Sequence, residues 1–238
     1  MRMCRVRKGG AEIVCFAALK PPGAANVPSG HWVDTTSLKR AEHFRLYRAY
    51  AQPHFSVTAD VDVTTLHARC AAPGGPSFFL ATLFLSLQAA NAVKALRLRL
   101  RGDAVWCHDV VDAGSTVLRP DDTFTFATFP HTERFADFAA AGEAEIASRR
   151  LATGLLDGGD GDELIHYSVL PWVAFTSFTN ALPGPDESCP KIVFGRYHAC
   201  GAQWLMPVSV QVHHALVDGI DVGRFFEGFQ QRLDAPAL

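Results

Sequence analysis

The sequence predicts an α/β protein in two layers, a mixed β-sheet covered by helices. Three observations carry that prediction. Apolar and polar residues alternate with period two over 55–63 and 208–213, the mark of strands. Val222, Phe225, Phe226, Phe229 and Leu233 recur at helical spacing. Over 238 residues, 48% are hydrophobic and 19% charged, a globular balance that reads as one domain with a large core.

Residues 1–30 open on a basic stretch, followed by a short apolar run from Ala11 to Leu19 and then Lys20-Pro21-Pro22-Gly23. Glu12 interrupts the run and Lys20 ends it, which argues against a signal peptide. The segment is expected to be a disordered N-terminal extension, with the folded domain over 31–238. Leu38, Phe44, Leu46 and Tyr47, set among charged neighbours, predict an exposed helix ended by Gln52-Pro53. Phe55, Val57, Ala59, Val61 and Val63 alternate with polar residues and predict a strand. Thr64-Thr65-Leu66 begins a short helix, closed by Pro73-Gly74-Gly75-Pro76.

Positions 78–96 are the most apolar stretch. A membrane span needs about 20 such residues. Thr82, Ser86, Gln88 and Asn91 within it, and Lys94 near its end, predict a buried helix instead. Strands are then expected at 96–100, 104–108, 116–118 and 124–128, a helix over 133–150 and a Gly- and Asp-rich loop over 151–162. The last third reads as strands at 165–170, 192–197 and 204–214, followed by a terminal helix.

Net charge is −2, and no basic block beyond residues 2–8 suggests a nucleic-acid partner. The six cysteines are scattered without a C-x-x-C pair. They read as buried thiols of a reducing, cytoplasmic compartment rather than as disulfides or a zinc site.

The stretch from Val208 to Gly219 concentrates the chemistry. Its alternation predicts a half-buried strand, with His214 on the apolar face and His213 on the polar one. Opposed in this way, the two imidazoles cannot jointly grip one metal ion. Gly219 breaks the segment, and Asp221 is placed to cap the helix that follows. A histidine alone at such a place is usually a core residue with satisfied nitrogens. Here it belongs to the pattern His213-His214-x-x-x-Asp218-Gly219.

That pattern, and the longer run from Leu205 to Gly219, resemble the active-site stretch of the chloramphenicol acetyltransferase family of CoA-dependent acyltransferases. Upstream blocks are similar to the same family in order: 40–48 to its opening helix, 55–64 to its first strand, 168–178 to its Ser-Ala-x-Pro-Trp block and 190–197 to the strand before the catalytic one. The resemblance spans about 38–233. It implies that 31–238 is a catalytic domain assembled as a homotrimer, with active sites between subunits. It further implies acetyl-CoA as co-substrate, no bound cofactor or metal, and direct transfer to a primary hydroxyl of a small-molecule acceptor, chloramphenicol, without nucleic-acid or membrane partners.

By the same resemblance, His214 is the general base, its tautomer held by a bond to its own backbone carbonyl. Ser168 is the donor to the oxyanion, and Asp218 and Arg40 form an ion pair that holds the loop. Tyr47 and Phe55 line the acceptor pocket, and Arg196 supplies a basic group for CoA. The chain departs from the family at Ile220 and Asp221, where an aromatic residue and a histidine are usual. It also departs at Val193 for a threonine, Leu38 for a tryptophan and Ser77 for a lysine. These changes leave open another small hydroxylated or amino acceptor. Two rival classes are the acyltransferase core of a 2-oxo-acid dehydrogenase complex, which normally carries Asp-His-Arg, and an inactive small-molecule-binding relative.

Overall fold

The computed structural model describes residues 5–8, 11–14, 29–155 and 161–238. Strands β1 (Arg5–Lys8) and β2 (Ala11–Val14) pair antiparallel with each other. The remainder of the extension expected over 1–30 lies outside the described residues, apart from Ser29 and Gly30. Strand β3 (Gly30–Val33) already belongs to the domain, pairing with residues 105–108.

Helix α1 (Ala41–Arg48) carries Glu42 in its first turn and Arg45 and Arg48 in its last, complementing the helix dipole. Pro53 separates it from β4 (His54–Asp62). The Asp62 carboxylate accepts the Thr64 amide at 2.8 Å and starts α2 (Thr64–Ala71). Ser77 caps α3 (Phe78–Ala92), its hydroxyl accepting the Leu80 amide at 3.4 Å. Leu96, expected in a strand, falls in a 3₁₀ turn over Lys94–Arg97 before β5 (Leu98–Arg101) and β6 (Ala104–His108). There follow β7 (Asp112–Leu118), β8 (Phe124–Phe129), α4 (Phe135–Leu151) and β9 (Leu164–Leu170).

The strand expected over 192–197 is β10 (Lys191–Gly195), which ends two residues early, and a further short strand, β11 (His198–Cys200), follows it. The break comes at Arg196, whose amide leaves the ladder to bond the Val173 carbonyl at 2.9 Å. The chain closes on β12 (Gln203–His213) and α5 (Gly219–Asp234).

β12, the longest strand, stands second from the β4 edge of the larger sheet. It takes β4 along one edge, and β10 and then β11 along the other, all antiparallel. β10 runs parallel to β9, β9 parallel to β7, and β8 closes the edge antiparallel to β7. Strands β3, β6 and β5 form a separate three-stranded sheet.

Period two gives the larger sheet two unlike faces. Ile165 and Tyr167 of β9, Ile192 and Phe194 of β10, and the valines of β12 lie under the helices. The Tyr167 hydroxyl meets Ser86 of α3 at 3.2 Å, and the Phe194 ring meets Phe229 of α5. The opposite face carries His166, Ser168, Lys191, Ser209 and Gln211 in matched register.

The half-buried strand expected for β12 is therefore corrected. Ser209, Gln211 and His213 are 0%, 7% and 2% exposed, because residues 171–190 cross that polar face. The Ser209 hydroxyl donates to the Phe178 carbonyl at 3.2 Å, and Gln211 Oε1 accepts the Asn180 amide at 2.8 Å and its side chain at 2.9 Å.

Helix α3 is buried on nearly every side, packed between α4, α5 and the sheet. Its polar residues explain why so apolar a helix sits in a protein core. Asn91 accepts from the Val111 amide and donates to the Val111 carbonyl, both at 2.9 Å, and Gln88 donates to the Thr132 carbonyl at 2.7 Å. No helix among the described residues is long and apolar enough to cross a membrane. Because Val111 is fully buried, Asn91→Ala strands both its amide and its carbonyl. Urea denaturation should show a loss of about 2–4 kcal/mol in stability, whereas an exposed helix position such as Glu143→Ala should change it little.

Candidate active site

Every part of His214 except one nitrogen is held. Its amide donates to the Pro53 carbonyl at 2.8 Å, continuing the β4–β12 ladder one step past His213. Its carbonyl accepts from Arg40 Nη2 at 3.3 Å. The Tyr47 ring stacks on its imidazole at 3.8 Å and 16°, and Phe55 leans against it at 4.5 Å. Nδ1 lies 3.2 Å from the Val217 carbonyl. A carbonyl can only accept, so the proton sits on Nδ1 and the lone pair on Nε2. The partner is Val217, three residues on, and not the residue's own carbonyl. The turn makes this possible: the amides of Leu216 and Val217 both bond the His213 carbonyl at 3.0 Å and fold the chain back over the ring.

That turn ends in a capping box. Asp218, not Asp221, is the N-cap of α5, and Asp221 at the third helical position returns a carboxylate to the Asp218 amide at 3.2 Å. Strand phase alone could not place the cap, because the helix begins one turn before its first buried apolar residue, Val222. Asp218 Oδ2 also meets Arg40 Nε at 3.2 Å. Nε makes no aligned hydrogen bond there, so the contact is a charge pair. It ties the N-terminal end of α1 to the N-terminal end of α5 across the His214 turn.

His213 is buried beside these groups. Its Nδ1 accepts the Ala215 amide at 3.1 Å, which requires that nitrogen to be unprotonated. Burial, the His54 ring and Arg48 lower its pKa to about 4, against the pull of the Pro185 carbonyl and Asp186.

Ser168 stands elsewhere. It lies opposite Val193, and Val193 opposite Ser209. Two strand spacings and five residues thus separate it from His214, roughly 19 Å, and it projects from the other face of the sheet. The structure brings Arg40, Tyr47, Phe55, His214 and Asp218 together and leaves Ser168 and Arg196 apart from them.

Three cavities surround Ser168 and the segment over 171–190. One of about 430 Å³ holds Ser168 with His166 and Lys191. A groove of about 560 Å³ runs from Ser168 past Val169, Pro171 and Trp172 to Phe79. Phe79, Val169 and Pro171 also line a cavity of about 430 Å³ that holds the exposed Arg196 beside Tyr197. On the β4 side of the segment lies a larger cavity of about 770 Å³, lined by Phe55, His54 and Gln211. Among the described residues no group of three or more His, Cys, Asp or Glu side chains is arranged to hold a metal ion, and Cys70, Cys107, Cys189 and Cys200 are free thiols.

A profile of the family described as "Chloramphenicol acetyltransferase" matches residues 30–230. The chain belongs to the chloramphenicol acetyltransferase family. It is thereby an enzyme of an acyltransferase class. "Chloramphenicol acetyltransferase 3" of Escherichia coli is 32% identical over 201 residues, covering 83% of this chain and 94% of the relative. "Chloramphenicol acetyltransferase" of Streptomyces acrimycini is 32% identical over 219 residues, covering 90% and 98%. A solved chloramphenicol acetyltransferase shares the fold, with a TM-score of 0.78 over 86% of this chain and 99% of that one, at 24% identity. The catalytic core of a 2-oxo-acid dehydrogenase complex from Thermoplasma acidophilum is a more distant fold relative, with a TM-score of 0.59 at 16% identity over 85% of this chain and 97% of that one.

In this family member, sequence reasoning passed over His166 and Lys191. His166 sits in no motif, Lys191 carries no assigned role within the 190–197 block, and they become neighbours only through the β9–β10 register. Lys191 forms an ion pair with Glu187 at 3.5 Å. Burial, Lys191 and Arg99 lower the His166 pKa to about 4, opposed by Glu187.

Two expectations follow. A double-mutant cycle over Arg40→Met and Asp218→Asn should return a coupling of about 1 kcal/mol in stability or kcat, and zero coupling in both would make the pair incidental. His166 and His213 stay neutral in the folded state while the unfolded chain protonates them near the ordinary value of 6.5. Their full stability is therefore present above pH 6.5 and lost as pH falls toward 4. At pH 5 the loss is about 2 kcal/mol for each. Denaturation midpoints measured from pH 7.5 down to pH 5 should fall, and His166→Phe should flatten the fall.

Proposed function

We propose that residues 31–238 form the catalytic domain of an acetyl-CoA-dependent O-acetyltransferase whose acceptor is chloramphenicol, acetylated at its primary hydroxyl. The observation that carries this reading is the His214 Nδ1 contact with the Val217 carbonyl at 3.2 Å. It fixes the one tautomer in which Nε2 can take a proton. In the proposed reaction Nε2 removes the acceptor hydroxyl proton as the oxygen attacks the thioester carbon. A C–O bond forms, and the carbonyl electron pair moves onto oxygen, where the Ser168 hydroxyl donates to it. The pair returns, the C–S bond breaks, and the imidazolium gives its proton to the departing CoA sulfur. Arg40 and Asp218 hold the turn and take no proton.

The separation of roughly 19 Å between Ser168 and His214 excludes their meeting at one carbonyl within one chain. This supports a site built by two copies, with His214 of one facing Ser168 of the next, as in a homotrimer. Surface features near Ser168 agree with this. Trp172 is 64% exposed, and Leu118 and Phe124 beside it are 46% and 48% exposed, an apolar patch suited to a second copy. The groove from Arg196 past Phe79 and Pro171 to Ser168 is the candidate path for acetyl-CoA, with the guanidinium at its phosphate end.

His214→Ala should lower kcat by a factor on the order of 10² to 10⁴, read by thiol release from acetyl-CoA with chloramphenicol and by mass spectrometry of the ester. Co-refolded His214→Ala and Ser168→Ala chains should recover activity that neither variant has alone, since some interfaces then hold one intact set. Near-normal turnover of His214→Ala would remove the base assignment. A mixture no more active than its components would remove the two-copy site.

A further inference from the structure

The cavity of about 430 Å³ beside Ser168 is floored by the polar face of the sheet and walled by Phe124 and Phe126 of β8. His166 precedes Ser168 by two residues on the same face of β9, roughly 7 Å away, and Lys191 stands opposite His166 in register. The Lys191 side chain is only 12% exposed, and its charge partner among the described residues is Glu187, at 3.5 Å. An ammonium has three N–H donors. The others have no partner among the described residues, and neither does the His166 ring.

We propose that His166 and Lys191 are the specificity residues of the acceptor site. They select a neutral alcohol whose far end, about 7 Å from the reacting hydroxyl, presents a second hydrogen-bond acceptor such as a nitro, carbonyl or ether oxygen. The selection rests on the acetyl-transfer reading above and follows from the charges. Lys191 only donates, so it is matched by an oxygen acceptor and not by carbon. Glu187 already balances Lys191, so a carboxylate on the acceptor would bring a second anion close to the first in a shielded cavity, where repulsion is strong. Phe124 and Phe126, edge to face at 5.6 Å, offer walls for a flat body between the two polar ends.

Three acceptors differing at one place test this: chloramphenicol, its analogue with hydrogen in place of the nitro group, and its analogue with a carboxylate there. The full-length protein should favour the nitro compound over the hydrogen analogue by about 10- to 100-fold in kcat/KM, through KM rather than kcat. Calorimetric binding should give the same order, with the carboxylate weakest. Lys191→Met should bring the nitro preference within about threefold. Glu187→Gln, which leaves the ammonium unbalanced, should tighten the carboxylate analogue by about tenfold and decides the matter should Lys191→Met fail to fold. Equal use and equal binding of the three by the unaltered protein, or wild-type ratios in the variants, overturns the proposal. The same ranking in calorimetry without acetyl transfer to any of them sustains it and overturns the transferase reading instead.

Discussion

A sheet whose second face is polar can be buried only if something hydrogen-bonds that face, since an unpaired buried polar group costs about 1–3 kcal/mol. In this chain the cover is the connection between two parallel strands. Residues 171–190 leave β9 and return to β10, and on the way Phe178 and Asn180 bond Ser209 and Gln211 of β12. β12 is thus fixed on both faces. The same crossing leaves room on either side of itself, so the two cavities at Phe55 and at Ser168 follow from the cover.

The far end of β9 is anchored with comparable care. The Arg99 guanidinium is fully buried and donates to four backbone carbonyls, of Leu96, Leu98, Asp162 and Leu164. Burial alone would raise the pKa of Asp162. Bonds from Arg101 and His108 more than offset it and hold the carboxyl well below the usual range. Arg101 in turn lies over the Trp106 ring at 4.6 Å. These contacts join the small sheet to the start of β9 and so set the position from which His166 and Ser168 project.

At the other end of β12 the fold holds a single ring. Stacking by Tyr47, the Val217 carbonyl and the Arg40 bond to the His214 carbonyl act on one residue from α1, the turn and the N-cap of α1. Asp221, which stands where the family usually has a histidine, has a structural use in the capping box and a second contact with Arg224 at 3.1 Å. Ser77, in place of a lysine, caps α3. Both departures have a local structural role.

The sequence by itself determined the elements and the chemistry of one stretch. Period two located β4 and β12 and period 3.6 located α5, because burial of alternate or every third to fourth residue is written locally, and α3 was read from an unbroken apolar run. The His213-to-Gly219 pattern singled out His214 for the same reason, as strand phase and turn are both short-range. What lay beyond was long-range. Arg40 and Asp218 were paired by resemblance and not by spacing. The cap at Asp218, the Val217 partner of His214 and the cover over the polar face depended on the path of the chain through space. Only the tertiary structure decided that His166, Ser168 and Lys191 share one cavity, and that Ser168 and His214 project from opposite faces. Register between β9 and β10 is set by hydrogen bonds across a connection of about twenty residues, and no local period records which residues such a pairing brings side by side.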